Sequence, residues 1–357
     1  MRRAKVLSVI FIPAMKRVKI LSVIFVFLLA ATSLPAQVVT VAASSNDTYT
    51  NPVIPSDNAD PSYIRGDDGY LYLCATGERM WRSSNMISWS QIGTAFGAGQ
   101  HPEYKGPNYF WAPSLNKIGD RYVMYFAVGK MGGTGDDFYI GVATSDTPGG
   151  PYAIYDNPAT PEDERGVLFL SSTIGVAQSI DPCYIEADGH KYLFWGSYHE
   201  IDAIELDSTG LAVKPGAQKV KVGGSAYEGT YIMKHGDYYY FFGSNGTCCN
   251  GAESTYKVVY GRSKNVLGPY VNKAGGRLLD NQFDILIQGN DKWAGTGHNA
   301  EITEDADGEW WIMYHAYSKT NPSLGRLVLL DRVQWIDGWP YVEGGTPSER
   351  SKRPAIR

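Results

Sequence analysis

Cysteine is scarce in this chain. Cys74, Cys183, Cys248 and Cys249 are the only four in 357 residues, too few to staple a fold of this length, and none of their spacings suits a zinc site. A hydrophobic core must therefore hold the protein together. Long apolar runs are also missing beyond the N-terminal segment, where nothing approaches the ~20 consecutive apolar residues that cross a bilayer, so no membrane span is expected. Basic residues run short once that segment is set aside. Residues 1–36 hold no acid, and the remainder carries 26 basic against 37 acidic residues, a formal charge of −11. Such a charge repels nucleic acid, and no nucleic-acid partner is expected.

The N-terminus reads as a secretory leader. Arg2, Arg3, Lys5, Lys16, Arg17 and Lys19 precede an apolar run from Ile20 to Ala31, and Leu34-Pro35-Ala36 supplies a small-residue exit. This pattern predicts a signal peptide over 1–36, with Met15 as an alternative start, and a secreted or periplasmic protein over 37–357. The nearest cysteine is far from the expected cleavage point, so a lipid anchor is not expected.

What the chain has in abundance is turn-forming and aromatic residues: 40 glycines, 25 tyrosines and nine tryptophans. With few helix-period stretches, this composition predicts an all-β protein of short strands and tight turns. Five segments match one template: 59–77, 111–129, 180–197, 227–244 and 297–317. Each has a short apolar strand, a turn built on Asp-Gly or Gly-Asp, and a second strand dense in Tyr, Phe and Trp. Each is a predicted β-hairpin. Segments 81–89, 138–152, 203–210, 256–270 and 326–340 supply outer strands. The whole predicts a single five-bladed β-propeller over 37–357, with about four antiparallel strands per blade.

Aligning the hairpins by sequence puts Asp60, Ala112, Asp181, Glu228 and His298 at one position, just before the first strand. Equivalent positions in a propeller ring the axis, so three carboxylates and an imidazole are expected to meet in one pocket. Any one of them alone could be a turn-capping residue. Gathered together they would repel and resist desolvation, which suggests use. Paired carboxylates suit glycoside hydrolysis, one protonating the leaving oxygen and the other activating water. A third can hold the acid's pKa high. Glu78, Lys130, Ser197, Tyr198 and Asn245 should border the pocket. Phe110, Trp111, Tyr198, Tyr227 and Trp293 flank the aligned positions and could face sugar rings, or pack between blades.

At these residues the chain resembles glycoside hydrolase family 43, whose members are five-bladed propellers. The resemblance runs from Asn51-Pro52-Val53 to Trp335-Ile336-Asp337-Gly338-Trp339-Pro340. It implies Asp60, in A-D-P-S, as general base, Asp181, in S-I-D-P, as pKa modulator and Glu228, in Y-E-G-T, as general acid. The stretch Gly243 to Arg262, with its Cys-Cys pair and S-T-Y-K-V, and T-G-H-N-A-E-I around His298 are similar to the endo-1,5-α-L-arabinanase branch. That likeness implies a calcium or other ion on the axis, largely water-coordinated and supported by His298. It also implies that Arg326, in G-R-L, reaches the sugar at the cleavage point. Phe110, Trp111, Ser197 and Tyr198 complete the expected substrate site for a polysaccharide or oligosaccharide. The family's W-A-P-D is W-A-P-S here, with Ser114 in place of the acid, and its E-G-P is E-G-T.

An inverting, endo-acting arabinan hydrolase is thus expected. Its rivals are an exo-acting α-L-arabinofuranosidase or β-xylosidase on the same fold, and a non-catalytic glycan-binding propeller. The chain ends soon after the fifth blade, without the β-sandwich that many xylosidases of the family append. Glu228 should have a raised pKa and Asp60 should stay ionised, with the two carboxyls ~6.5–9.5 Å apart. Cys248 and Cys249 read either as a vicinal disulfide or as two packed thiols, in a structural role.

Overall fold

The computed structural model describes residues 47–102, 109–130, 132–133, 135–157 and 166–356; the expected leader lies outside them. Why these segments become hairpins is local chemistry. Asp188 and Gly189, at the turn of the third repeat, both take positive φ, 53° and 80°, the two-residue turn whose twist matches its flanking strands. It joins Cys183–Ala187 to His190–Trp195, paired in register from Cys183 opposite Phe194 to Ala187 opposite His190.

All five predicted hairpins are present. Blade 1 is Ser62–Arg65, Leu71–Cys74, Arg79–Ser83 and Ser90–Thr94; blade 3 continues from its hairpin to Ile201–Leu206 and Val220–Gly223. Blade 4 is Glu228–His235, Tyr238–Asn245, Lys257–Ser263 and Asp284–Ile287. Blade 2 is Tyr109–Ile118, Arg121–Gly129, Tyr139–Ser145 and Val167–Leu170, with Ala153–Ile154 added beside its third strand. In blade 5 the first strand is broken into Trp293–Gly297 and Ile302–Glu304, both on Trp310–Ser318, followed by Leu327–Ile336 and Trp339–Tyr341. The short pair Thr48–Thr50 with Arg350–Lys352 ties the two ends of the ring together. Asn51 adds to that closure by donating through Nδ2 to the Leu330 carbonyl and accepting the Leu330 N–H, each at 2.9 Å.

The second strands carry no in–out alternation, as in Arg121–Gly129, where every residue after Arg121 is buried. Each blade is packed on both faces by neighbours, so both faces of its middle strands must be apolar. Five buried clusters result, one at each blade interface. The first strands lie side by side around the axis. Ser62 Oγ accepts the Leu115 N–H at 2.9 Å, and Glu301 accepts from Ser62 Oγ at 2.6 Å and from the Tyr63 N–H at 2.5 Å. Among the described residues no helix is long and apolar enough to cross a membrane.

Candidate active site

Within or no more than two residues from each first strand lies a residue in left-handed backbone conformation: Asp60 (φ 54°), Ala112 (42°), Asp181 (58°), Gly229 (59°) and His298 (44°). In blades 2 and 4 a bulge accompanies it. Trp111 opposes Ala127 while Ser114 opposes Tyr125, and Glu228 opposes Ser244 while Tyr231 opposes Phe242. Three residues on the first strand thus span two on the second, which turns the strand entry toward the axis. This register corrects the sequence alignment in blade 4. The residue equivalent to Asp60 and Asp181 is Gly229, and Glu228 stands one position earlier, where blade 2 has Trp111. Glycine takes the left-handed slot without the Cβ penalty, so the acid is displaced to the position before it. A Cβ on Gly229 would lie 3.0 Å from the His298 ring, and the Gly229 N–H donates to Asp181 Oδ2 at 2.9 Å.

The three carboxylates nonetheless converge. Asp60, Asp181 and Glu228 line one cleft of about 330 Å³ with Trp111, Ser197, Tyr198, His298 and Arg326. All three acids are buried. Asp60 Oδ1 accepts from Arg326 Nη1 at 3.0 Å and lies 3.2 Å from His298 Nδ1; Oδ2 accepts from Thr76 Oγ1 at 2.6 Å. Thr76 Oγ1 in turn accepts the Ala112 N–H at 3.0 Å, joining blades 1 and 2 at the rim. Glu228 is held from two sides, accepting from Ser197 Oγ at 2.7 Å and from Tyr256 OH at 2.8 Å.

His315 links the two. Its Nδ1 accepts the Asp60 backbone N–H at 3.1 Å, so the ring hydrogen sits on Nε2, and its ring stacks on Tyr256 at 5.7 Å between centroids. Burial, and then the Arg326 charge, hold His315 well below its ordinary pKa. It is neutral, and its 3.4 Å approach to Asp60 Oδ1 is not an ion pair.

The environment separates the acids by protonation. Burial would raise Asp60, but the Arg326 guanidinium and the His298 imidazole outweigh it and hold that carboxyl well below the usual range. Burial, followed by the charges of Glu228 and Asp60, raises Asp181 to about 7, against the pull of His298. Burial also raises Glu228, against its two hydroxyl donors. Asp181 and Glu228 therefore titrate as a pair that retains a proton near neutrality, while Asp60 is ionised.

Other expected site residues divide. Trp111, Lys130, Ser197, Tyr198 and Arg326 line the cleft. Phe110 does not: it is buried between blades 1 and 2, edge-on to Phe96 at 5.7 Å. Strand alternation is the reason, since neighbours Phe110 and Trp111 project to opposite faces. Tyr227 and Trp293 are likewise interblade core. Glu78 pairs with His101 at 2.7 Å, and Asn245 donates to the Ala226 carbonyl at 2.9 Å. Sequence reasoning missed Thr76, Tyr256 and His315. Each lay in a stretch already marked, Thr76 and His315 in the second half of the repeat template and Tyr256 in S-T-Y-K-V, but none stood at the aligned position before a first strand. Arg326, expected against sugar, spends one nitrogen on Asp60.

His298 separates the cleft from an axial cavity of about 360 Å³ that it lines with Asn299 and Glu301. Burial lowers its pKa, but Asp60 and Asp181 raise it to about 9. A cation on this imidazole must compete with that proton. Calcium takes six to eight oxygens, and among the described residues no group of three or more His, Cys, Asp and Glu could hold a metal. The donor set fits a hydrated ion touching one imidazole, and does not fit a calcium caged by protein.

The family model for glycosyl hydrolases family 43 matches residues 49–340. The extracellular exo-α-(1→5)-L-arabinofuranosidase of Cellvibrio japonicus is 30% identical over 317 residues, covering 80% of this chain and 86% of that protein. The extracellular endo-α-(1→5)-L-arabinanase 1 of Bacillus subtilis is 29% identical over 244 residues, 66% of this chain and 70% of its own. The solved structure of Cellvibrio cellulosa α-L-arabinanase complexed with arabinohexaose superposes with a TM-score of 0.68 at 25% identity, covering 80% of this chain and 95% of that one. A model match over most of the chain, on a propeller whose carboxylates meet in one cleft, makes this protein a glycoside hydrolase belonging to glycosyl hydrolases family 43.

Proposed function

We propose that this chain is a secreted, inverting hydrolase that cleaves α-1,5-L-arabinan internally in plant cell-wall polysaccharide. One observation carries the reading: a single cleft holds an ionised carboxylate, Asp60, and a proton-retaining pair, Asp181 and Glu228. Glu228, backed by Ser197 and Tyr256, gives its proton to the leaving glycosidic oxygen. Asp60, kept ionised by Arg326 and His298, takes a proton from the water that attacks the opposite face of the sugar. Asp181 supplies the neighbouring negative charge that keeps Glu228 protonated, and its bond to the Gly229 N–H fixes where that charge sits. Trp111 and Tyr198 offer apolar surface to the sugar rings, and Arg326 donors left over from Asp60 reach the sugar at the cleavage point. The axial ion belongs to this reading as a hydrated cation beside His298. It would add positive charge near Asp60.

An exo-acting α-L-arabinofuranosidase is the second reading, favoured by the name of the 30% identical Cellvibrio japonicus relative. Product analysis on debranched arabinan separates them. Internal cleavage releases a ladder of oligosaccharides early, whereas an exo enzyme releases arabinose or one short product from the start. Inverted configuration in the first-formed sugar by NMR is expected, and retention overturns the mechanism. Turnover of xylan fragments alone overturns the substrate, and binding without turnover by any route leaves a glycan-binding propeller.

A further inference from the structure

One part of the cleft wall has no place in the reaction as described. Cys248 and Cys249 are joined by a disulfide between adjacent residues, and both line the cleft of the three carboxylates. Cys249 is exposed and Cys248 half-buried, so the bond meets whatever fills the cleft. The loop that carries it is fastened at both ends. The Gly246 carbonyl accepts from Tyr198 OH at 2.5 Å, Thr247 O accepts the Thr255 and Tyr256 N–H groups at 3.0 and 3.2 Å, and Ser254 Oγ accepts the Asn250 N–H at 2.9 Å.

The same cleft is lined by Trp111 and Phe138, whose ring centroids are 6.1 Å apart. The disulfide adds a surface with no hydrogen-bond donor and with polarisable sulfur atoms, a partner for C–H groups rather than for hydroxyls. Closing adjacent residues into a ring also removes side-chain rotamers before any ligand arrives, which lowers the ordering loss on binding. A furanose ring in a polysaccharide has such a C–H face between its hydroxyls.

We propose that the Cys248–Cys249 disulfide is a sugar-contacting surface of the cleft, packing against the C–H face of a pentose unit of the substrate, so that affinity depends on the bond being intact. The proposal rests on the polysaccharide reading of the cleft given above. Cys74 and Cys183 are both buried free thiols, so a reductant acting on the folded enzyme addresses this bond alone.

The test reduces the whole enzyme with tris(2-carboxyethyl)phosphine without air. The phosphine supplies two electrons, the S–S bond opens to two thiols, and the phosphine leaves as its oxide with oxygen from water. Thiols are counted by mass spectrometry, and KM and kcat are measured on linear arabino-oligosaccharides before and after. Reduction is expected to raise KM about three- to tenfold, the size of one lost apolar contact, with kcat within about twofold. The double variant Cys248→Ala with Cys249→Ala should show the raised KM from the start and ignore the phosphine. If circular dichroism shows that this variant is unfolded, the reduced wild type carries the test alone. An unchanged KM in fully reduced enzyme overturns the proposal. So does a fall in kcat alone, which would mean the loop acts through Tyr256 without touching sugar. An oxidised enzyme that turns over no arabino-oligosaccharide defeats the arabinan reading instead, and the comparison is then run on the xylo-oligosaccharide or pentoside that it cleaves.

Discussion

Blades 2 and 4 begin in the same way and end in different chemistry. Both enter their first strand through a bulge with a left-handed residue, Ala112 in one and Gly229 in the other. At the position before it, blade 2 places Trp111 and blade 4 places Glu228, and both side chains line the cleft. The pocket thus draws on one or the other of two adjacent positions in these blades. Asp60 and Asp181 use the left-handed one, and the acid uses its predecessor. The offset lets the Gly229 N–H hold Asp181 while the preceding side chain belongs to the partner of that carboxylate. Repetition built the ring, and a local departure from repetition made its members unequal.

The largest effect should come from removing the unequal charges. Glu228→Gln or Asp60→Asn is expected to lower kcat/KM by about 10²–10⁴-fold, the range general acid–base catalysis supplies. Oligosaccharide binding by calorimetry should survive. Retained activity in either variant would show that the converging carboxylates do not perform the reaction.

Next comes the exchange of the two left-handed residues. Gly229→Ala must hold φ 59° with a Cβ against the His298 ring, and should lose about 1–2 kcal/mol of stability along with activity. Ala112→Gly, in blade 2, relieves the same backbone penalty and should change stability by under about 1 kcal/mol. Denaturant titration of both reads the comparison directly. Equal effects would mean that the blades are interchangeable here after all.

The smallest effect concerns the hydroxyls behind Glu228. The Asp181–Glu228 pair retains its proton below the Asp181 value of about 7 and loses it above, so activity should fall as pH rises through that region. Asp60, held low, stays ionised throughout. Tyr256→Phe removes a donor that favours ionised Glu228, so its pKa should rise and the alkaline limb should move to higher pH, with kcat about tenfold lower. Asp181→Asn should move the same limb to lower pH, because the neighbouring charge is gone. A limb that stays in place in both variants would assign it to another group.

Much of this protein is written in short-range pattern. Turn dipeptides, aromatic second strands and the five-fold recurrence of one hairpin template determine an all-β propeller, because each rests on neighbouring residues and on the strand period of two. The same recurrence brings Asp60, Asp181 and Glu228 to one rim. What surrounds them rests on contacts between blades. Arg326 reaches Asp60 across 266 residues of chain, and Ser197 reaches Glu228 across 31. Register decided the rest. A bulge moves Glu228 off its aligned position, and alternation sends Phe110 into the core while Trp111 faces the cleft. A slip of one residue leaves composition and periodicity untouched yet reverses the face on which a side chain appears. The sequence by itself therefore determines which acids meet, and the tertiary structure decides which of them keeps its proton.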